Sequence, residues 1–347
     1  MKKLFTILLV VAISFTLFGC SKKEEEPADT PEVSGERQKR VALISDSSMA
    51  GDFDQMFVKG FDMLEKEGWE VKIIEALESA EYEEDLYAMC EEGYELIYLK
   101  GDAIASVLID VADDLHSKYP NVYFILADSY LEHDLDFATC VPVDPYESSF
   151  VGGYVAALSS ANHEVAWIGH LDTINLARFR NGFTAGALYA NPETTVRVAF
   201  TGDWGDPIKG QETTYAVHNE FPNVDVIDHA AYIAGNGVIT ACEELGIPCI
   251  GCDTYQTEKG ATVFWNTIKS VDLMVYNVSK RWLNHEETSF GKRMSFNIAS
   301  GSVPYDERDY NALPDDVKVK VDELMEGIKN GTVDVFYGDY AEFNLGY

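Results

Sequence analysis

Acidic and aromatic residues recur in one kind of place along this chain, directly after a short β-branched run. Asp46 follows RVALIS (40–45), and Phe53, Asp54 and Gln55 open the helix-like stretch beyond it. Asp128 ends NVYFILAD (121–128) and Asp253 ends PCIGCD (248–253). Trp204 sits in the turn Gly202-Asp203-Trp204-Gly205-Asp206-Pro207 after TVRVAF (195–200), and Gly235 lies in Ala234-Gly235-Asn236-Gly237 after VDVID (224–228). A carboxylate accepts hydrogen bonds from vicinal hydroxyls or from ring N–H groups. Flat aromatics stack on planar rings, each contact contributing about 1–3 kcal/mol. Together these groups suit a flat, hydroxylated, uncharged heterocycle such as a nucleoside. They suit a phosphorylated ligand poorly, since like charges would meet, and no phosphate-binding loop is present. Any one Asp after a strand is as readily a cap or turn former. Trp204 is harder to explain that way, because an indole among turn residues has little reason to enter a core.

Other chemistries find no support. Cys249 and Cys252 have CxxC spacing but fall on an expected strand, whereas a redox CxxC opens a helix that stabilises the thiolate. Zinc needs two further ligands, and neither a second CxxC nor HxxxH accompanies the pair. The seven histidines are scattered, and neither HExxH nor GxSxG occurs. The reading is a binding protein rather than an enzyme, with no metal and no cofactor.

The elements that must position these residues follow from the pattern. Short apolar runs alternate with amphipathic stretches, as where Phe53, Met56, Phe57, Phe61 and Leu64 recur at helical spacing. Such alternation implies βαβ units and parallel sheets. Two series of strands, 40–128 and 164–253, predict an α/β fold of two Rossmann-like lobes, with ligand in the cleft at the carboxyl ends of the strands. The expected lobes are 40–145, completed by about 255–290, and 146–254, with 291–347 packing on both. Apolar residues make up 46% of the chain, too many for a disordered acidic polymer. A net charge of −33 argues against nucleic acid and against docking on anionic lipid by charge.

Residues 1–19 read as a secretory signal, with a dibasic start and an apolar run too short for a confident span. Leu17-Phe18-Gly19-Cys20 resembles a lipobox, which makes Cys20 the expected lipidated residue. Residues 20–39 have too few large apolar side chains to fold and read as a tether. A monomer anchored by lipid on the extracytoplasmic face of the cell membrane is the expected form. The other five cysteines are an odd set and do not suggest a disulfide framework.

Several segments resemble the Bmp/PnrA-like family of solute-binding lipoproteins, also called the basic membrane protein family. They are RFRNGFTAGALYANPETTVRVAFTGDWGDPIKG (178–210), AGNGVITACEELGIPCIGCDTYQ (234–256), FWNTIKSVD (264–272) and LPDDVKVKVDELMEGIKNGTVDV (313–335). The resemblance implies a type I periplasmic-binding-protein fold that serves an ABC permease and ATPase, with purine nucleosides such as inosine, guanosine or adenosine as ligand. It implies that Phe53 and Trp204 sandwich the base, Trp204 standing where the family has Phe. It further implies that Asp46 and Asp128 face the ligand and that Asp253 and Lys269 hold the ribose, with Gly235 on the same side. Asp54 stands where the family has Asn, and beside Gln55 it is expected to read the edge of the base. The 46–55 loop is shorter than the family's. Alternatives are another flat heterocycle (a free purine base or riboflavin), a sensory protein uncoupled from transport, and a nucleosidase.

Overall fold

RVALIS forms β1 (Arg40–Ser45), and residues 41–45 of it are fully buried, as a strand covered on both faces requires. The chain is described here from a computed structural model over residues 36–335. The expected signal segment, Cys20 and most of the expected tether lie outside the described residues. Within that tether's last residues, Arg37 pairs with Glu287 (Nη1–Oε2 2.7 Å) and lies over the Trp282 ring, so the chain is fastened from Arg37 onward.

After β1 come α1 (Asp52–Glu65), β2 (Glu70–Glu75), α2 (Tyr82–Glu91), β3 (Leu96–Lys100), α3 (Asp102–Lys118), β4 (Tyr123–Ala127) and β5 (Ala138–Val141). The first sheet has the order β2-β1-β3-β4-β5, and every pair in it is parallel. The second half supplies α4 (Pro145–Ser159), β6 (Glu164–Gly169), α5 (Ile174–Ala190), β7 (Thr195–Phe200) and α6 (Pro207–Glu220). It continues with β8 (Val226–Ala230), α7 (Gly235–Leu245), β9 (Cys249–Asp253) and β10 (Val263–Ile268). Its sheet runs β10-β9-β8-β6-β7, again parallel throughout. Both sheets therefore have the same doubly wound order, which opens a crevice at the carboxyl ends of the strands. The two Rossmann-like lobes expected from the sequence are present.

The join between the lobes differs from the expected boundaries. Residues 255–290 do not all complete the first lobe. β10 extends the second sheet, and only α8 (Val271–Leu283) returns to pack on α1. Segment 292–296 then runs beside β5, bridging Cys140 to Arg293 and Val143 to Phe296. α9 (Glu307–Ala312) and α10 (Asp315–Asn330) finish on the second lobe. The chain thus passes between the lobes three times, which ties them into one unit from Arg37 onward. Two short strands, β5 and β10, were missed in the sequence because neither is set off by a long apolar run.

α4 is buried around nearly its whole circumference and lies backbone to backbone on α5. A Cβ added at Gly153 would meet the Phe183 carbonyl oxygen at 2.0 Å, and one at Gly186 would meet that of Phe150 at 1.8 Å. Glycine is required there by proximity. This rigid pair and the buried Trp167 and Trp265 set the second lobe, while Phe57, Phe61 and Trp282 fill the first. Among the described residues no helix is long and apolar enough to cross a membrane.

Candidate functional site

The crevice side chains are aimed by unusual backbone. Five non-glycine residues among those described have positive φ, and three of them stand where a strand gives way to the cleft: Asp128 (φ 54°), Tyr232 (φ 52°) and Asp253 (φ 63°). Left-handed backbone is tolerated by Asp but is costly for a bulky residue. Such strain concentrates at functional sites, where the surroundings hold it.

Phe53, Asp128, Trp204, Asp253 and Lys269 line one cavity of about 340 Å³ together with His170, Leu176, Phe179 and Tyr232. Small-molecule sites fall at roughly 300–1,000 Å³. Phe53, at the first turn of α1, is braced edge-on by Phe57 (centroids 5.8 Å, 87°). Trp204 is 54% exposed on the facing rim. Asp203 Oδ1 accepts from the N–H groups of Gly205 (2.6 Å) and Asp206 (3.1 Å), and the Ala234 N–H donates to the Trp204 carbonyl (3.0 Å). The turn is thus pinned, and the half-exposed indole packs on one side against the Tyr232 ring. Asp206 is a helix cap, as the sequence allowed.

A small charge array lines the same cavity as the two aromatics. Lys269, just past β10, donates to Asp128 Oδ2 at 2.6 Å, and its Nζ is 5.1 Å from the Phe53 ring centre. Asp128 Oδ1 accepts from the Val143 N–H at 3.2 Å. Asp253 is partly exposed, yet its Oδ1 is covered and has no hydrogen-bond partner among the described residues. Burial pushes its acid up to about 6, opposed by nearby Lys269 and reinforced by Asp128. The Cys252 thiol serves as a hydrogen-bond donor to this carboxylate, and the unpartnered Oδ1 leaves an acceptor that a ligand hydroxyl could engage.

A second cavity of about 230 Å³ adjoins the first and shares Phe53, Tyr232, Cys252 and Asp253. Its further walls include Asp52, Asn236 and Lys259. Lys259 reaches from the second lobe to pair with Asp52 at the start of α1 and also donates to Asn236 Oδ1 at 2.9 Å. His229 lines this cavity, and burial lowers its pKa to about 4, so the ring is neutral.

Four expected site residues do not line either cavity. Asp54 faces inward from α1 and forms a buried ion pair with Lys100 (2.8 Å). Gln55 turns its amide back onto the Met49 carbonyl. Asp46 lies against Gly101 beyond the lining, its acid raised by burial. Gly235 is buried at the start of α7, where an added Cβ would strike His229 at 2.4 Å, so it backs that ring rather than facing a ligand. Sequence reading missed Tyr232, His170, His229 and Lys259. Isolated histidines and a lysine carry no local signal, but Tyr232-Ile233-Ala234 precedes a helix at a strand end, the position already flagged for the acids. Cys249 and Cys252 are buried on β9 with their thiols raised well above the ordinary range, which disfavours a reactive thiolate.

The sequence profile of the family described as "Bmp: ABC transporter substrate-binding protein PnrA-like" matches residues 38–336. The "CD4+ T-cell-stimulating antigen" of Listeria innocua is 25% identical over 96% of this chain and 98% of its own. "Basic membrane protein A" of Borreliella burgdorferi is 25% identical over 93% of each chain. Among solved structures, an ABC transporter solute-binding protein from Aeropyrum pernix superposes with a TM-score of 0.66 at 22% identity, covering 88% of this chain and 95% of that one. The two-lobed fold is accordingly that of type I periplasmic solute-binding proteins.

Proposed function

The chain belongs to the Bmp family of PnrA-like ABC transporter substrate-binding proteins, and from that premise we propose that it captures one purine nucleoside between its lobes and delivers it to a permease. The observation that carries this reading is the pairing of two aromatics from opposite lobes, Phe53 and Trp204, around the Asp128–Lys269–Asp253 array in a single cavity. The base stacks between the rings. Asp128 accepts from the edge of the base, while Asp253 accepts from the ribose hydroxyls. Lys269 offsets the two carboxylates, without which a neutral ligand would enter a site of like charges. Asp54 and Gln55 take no part in reading the base, because their side chains are spent on Lys100 and Met49.

Hinge closure across the three connections would present a closed surface to the membrane partner. The protein performs no covalent step in this reading. It is held on the extracytoplasmic face of the membrane by a lipid on Cys20.

Calorimetry tests the proposal. The full-length protein, purified in detergent and freed of retained ligand by unfolding and refolding, is titrated with inosine, guanosine, adenosine, uridine, adenine and riboflavin. One-to-one binding of purine nucleosides, with bases much weaker, supports it. Absence of nucleoside binding overturns it, and release of free base from inosine on incubation would show an enzyme instead.

A further inference from the structure

Tyr232 occupies a position that its own backbone disfavours. It follows β8 with φ 52°, a region where a large side chain is strained and glycine is at ease. Its side chain lines both cavities of the cleft. The ring is tilted against Trp204 (centroids 5.7 Å, 52°). The hydroxyl reaches the opposite lobe, 3.4 Å from Asp54 Oδ2, and it sits so close over Gly51 that a Cβ there would lie 2.5 Å from it. The phenol therefore spans from one lobe to the other, and with Phe53, Cys252 and Asp253 it belongs to the boundary shared by the cavities of about 340 Å³ and 230 Å³.

We propose that Tyr232 is a specificity-determining residue that divides the cleft and so limits the length of the ligand. With the partition in place, a bicyclic base carrying one pentose fits the larger chamber. A longer heterocycle, such as a tricyclic ring bearing a polyol chain, needs both chambers and is refused. The second chamber favours such a neutral hydroxylated extension, because its one lysine is already paired with Asp52 and Asp253 adds negative charge. This inference rests on the nucleoside reading above, and it concerns size selection rather than the identity of the stacked base.

The test compares inosine and riboflavin as ligands of the parent full-length protein and of Y232G, Y232N and Y232F. Glycine and asparagine both tolerate the left-handed backbone, so either one reports if the other fails to fold. Removing the ring should weaken inosine binding, through the lost aromatic contact with Trp204, and strengthen riboflavin binding. The ratio of the two affinities should shift by roughly three- to tenfold, the size of one aromatic contact. Y232F keeps the ring and loses only the hydroxyl's contact with Asp54, so its ratio should stay closer to the parent's than that of Y232G or Y232N. A parent-like ratio in Y232G and Y232N overturns the partition while leaving the nucleoside reading intact. A parent protein that binds neither inosine nor any other purine nucleoside overturns both.

Discussion

Lys269 and Asp128 meet at 2.6 Å although 141 positions separate them in sequence, one just past the last strand of the second sheet and the other just past the fourth strand of the first. The pair is partly shielded, with side chains 12% and 16% exposed, and it lies where the chain crosses between lobes. It therefore joins the lining of the larger cavity to a segment that connects the lobes.

Replacing Lys269 by Met should leave Asp128 and Asp253 facing one another without a counter-ion. We expect nucleoside affinity to fall roughly 10- to 100-fold, the range for a lost charge-assisted hydrogen bond. Calorimetry of K269M against inosine checks this. An unchanged affinity would remove Lys269 from the site.

Trp204 and Phe53 should separate in their effects on stability. Trp204 is largely exposed, so W204A should cost binding by about 1–3 kcal/mol with little change in the denaturation midpoint. Phe53 also packs on Phe57, so F53A should lower both affinity and stability. If W204A binds as tightly as the parent, the stacking role fails.

Asp253 should make binding acid-sensitive. Its acid lies near 6 because of burial, so at lower pH the acceptor becomes a neutral carboxyl. Affinity for a nucleoside should be constant above about pH 7 and decline through pH 6, and D253N should be weak and lack this decline. The sign for stability is opposite. A folded pKa above the unfolded value of about 3.9 means stability present below pH 4 is lost as pH rises through 6, by up to about 3 kcal/mol. Denaturant titrations of the ligand-free protein at pH 4.5 and 7, compared with D253N, read that difference.

The Lys259–Asp52 pair joins the lobes at the mouth of the cleft, with side chains 33% and 53% exposed. An exposed pair contributes about 0–1 kcal/mol. K259A should accordingly raise the ligand dissociation rate no more than about fivefold, and added salt should reduce the difference. Stopped-flow release of ligand measures it.

Asp54 should behave as a structural residue. D54N leaves the buried Lys100 ammonium without its carboxylate, a change that costs about 3–5 kcal/mol where a buried pair is broken. Chemical denaturation should show this loss. Purine preference should be unchanged in D54N protein that remains folded, whereas a switch in base preference would return Asp54 to the site.

The positions of the acids were readable before their orientations were. Asp128 and Asp253 end apolar strands, and a strand buried on both faces shows itself in a few consecutive residues. The same logic made α1 and α10 plain, since their buried faces repeat at helical spacing. It could not separate Asp54 from Asp253. Both are acids at the mouth of the crevice, but Asp54 turns to Lys100, which only the pairing of β1 with β3 brings alongside. It could place Tyr232 at a strand end before a helix but not foresee its left-handed backbone, because nothing in AAYIAG announces one.

The residues by themselves determined the alternation of elements, the two lobes and the places where acids and aromatics gather, because hydrophobic periodicity and turn chemistry act over a few positions. Tertiary structure alone decided which of those acids stay open to a ligand, how Lys269 comes to neutralise them and where Tyr232 divides the cleft. Those outcomes depend on partners 46 to 178 residues away, brought into contact only when both sheets have formed and the chain has crossed between them.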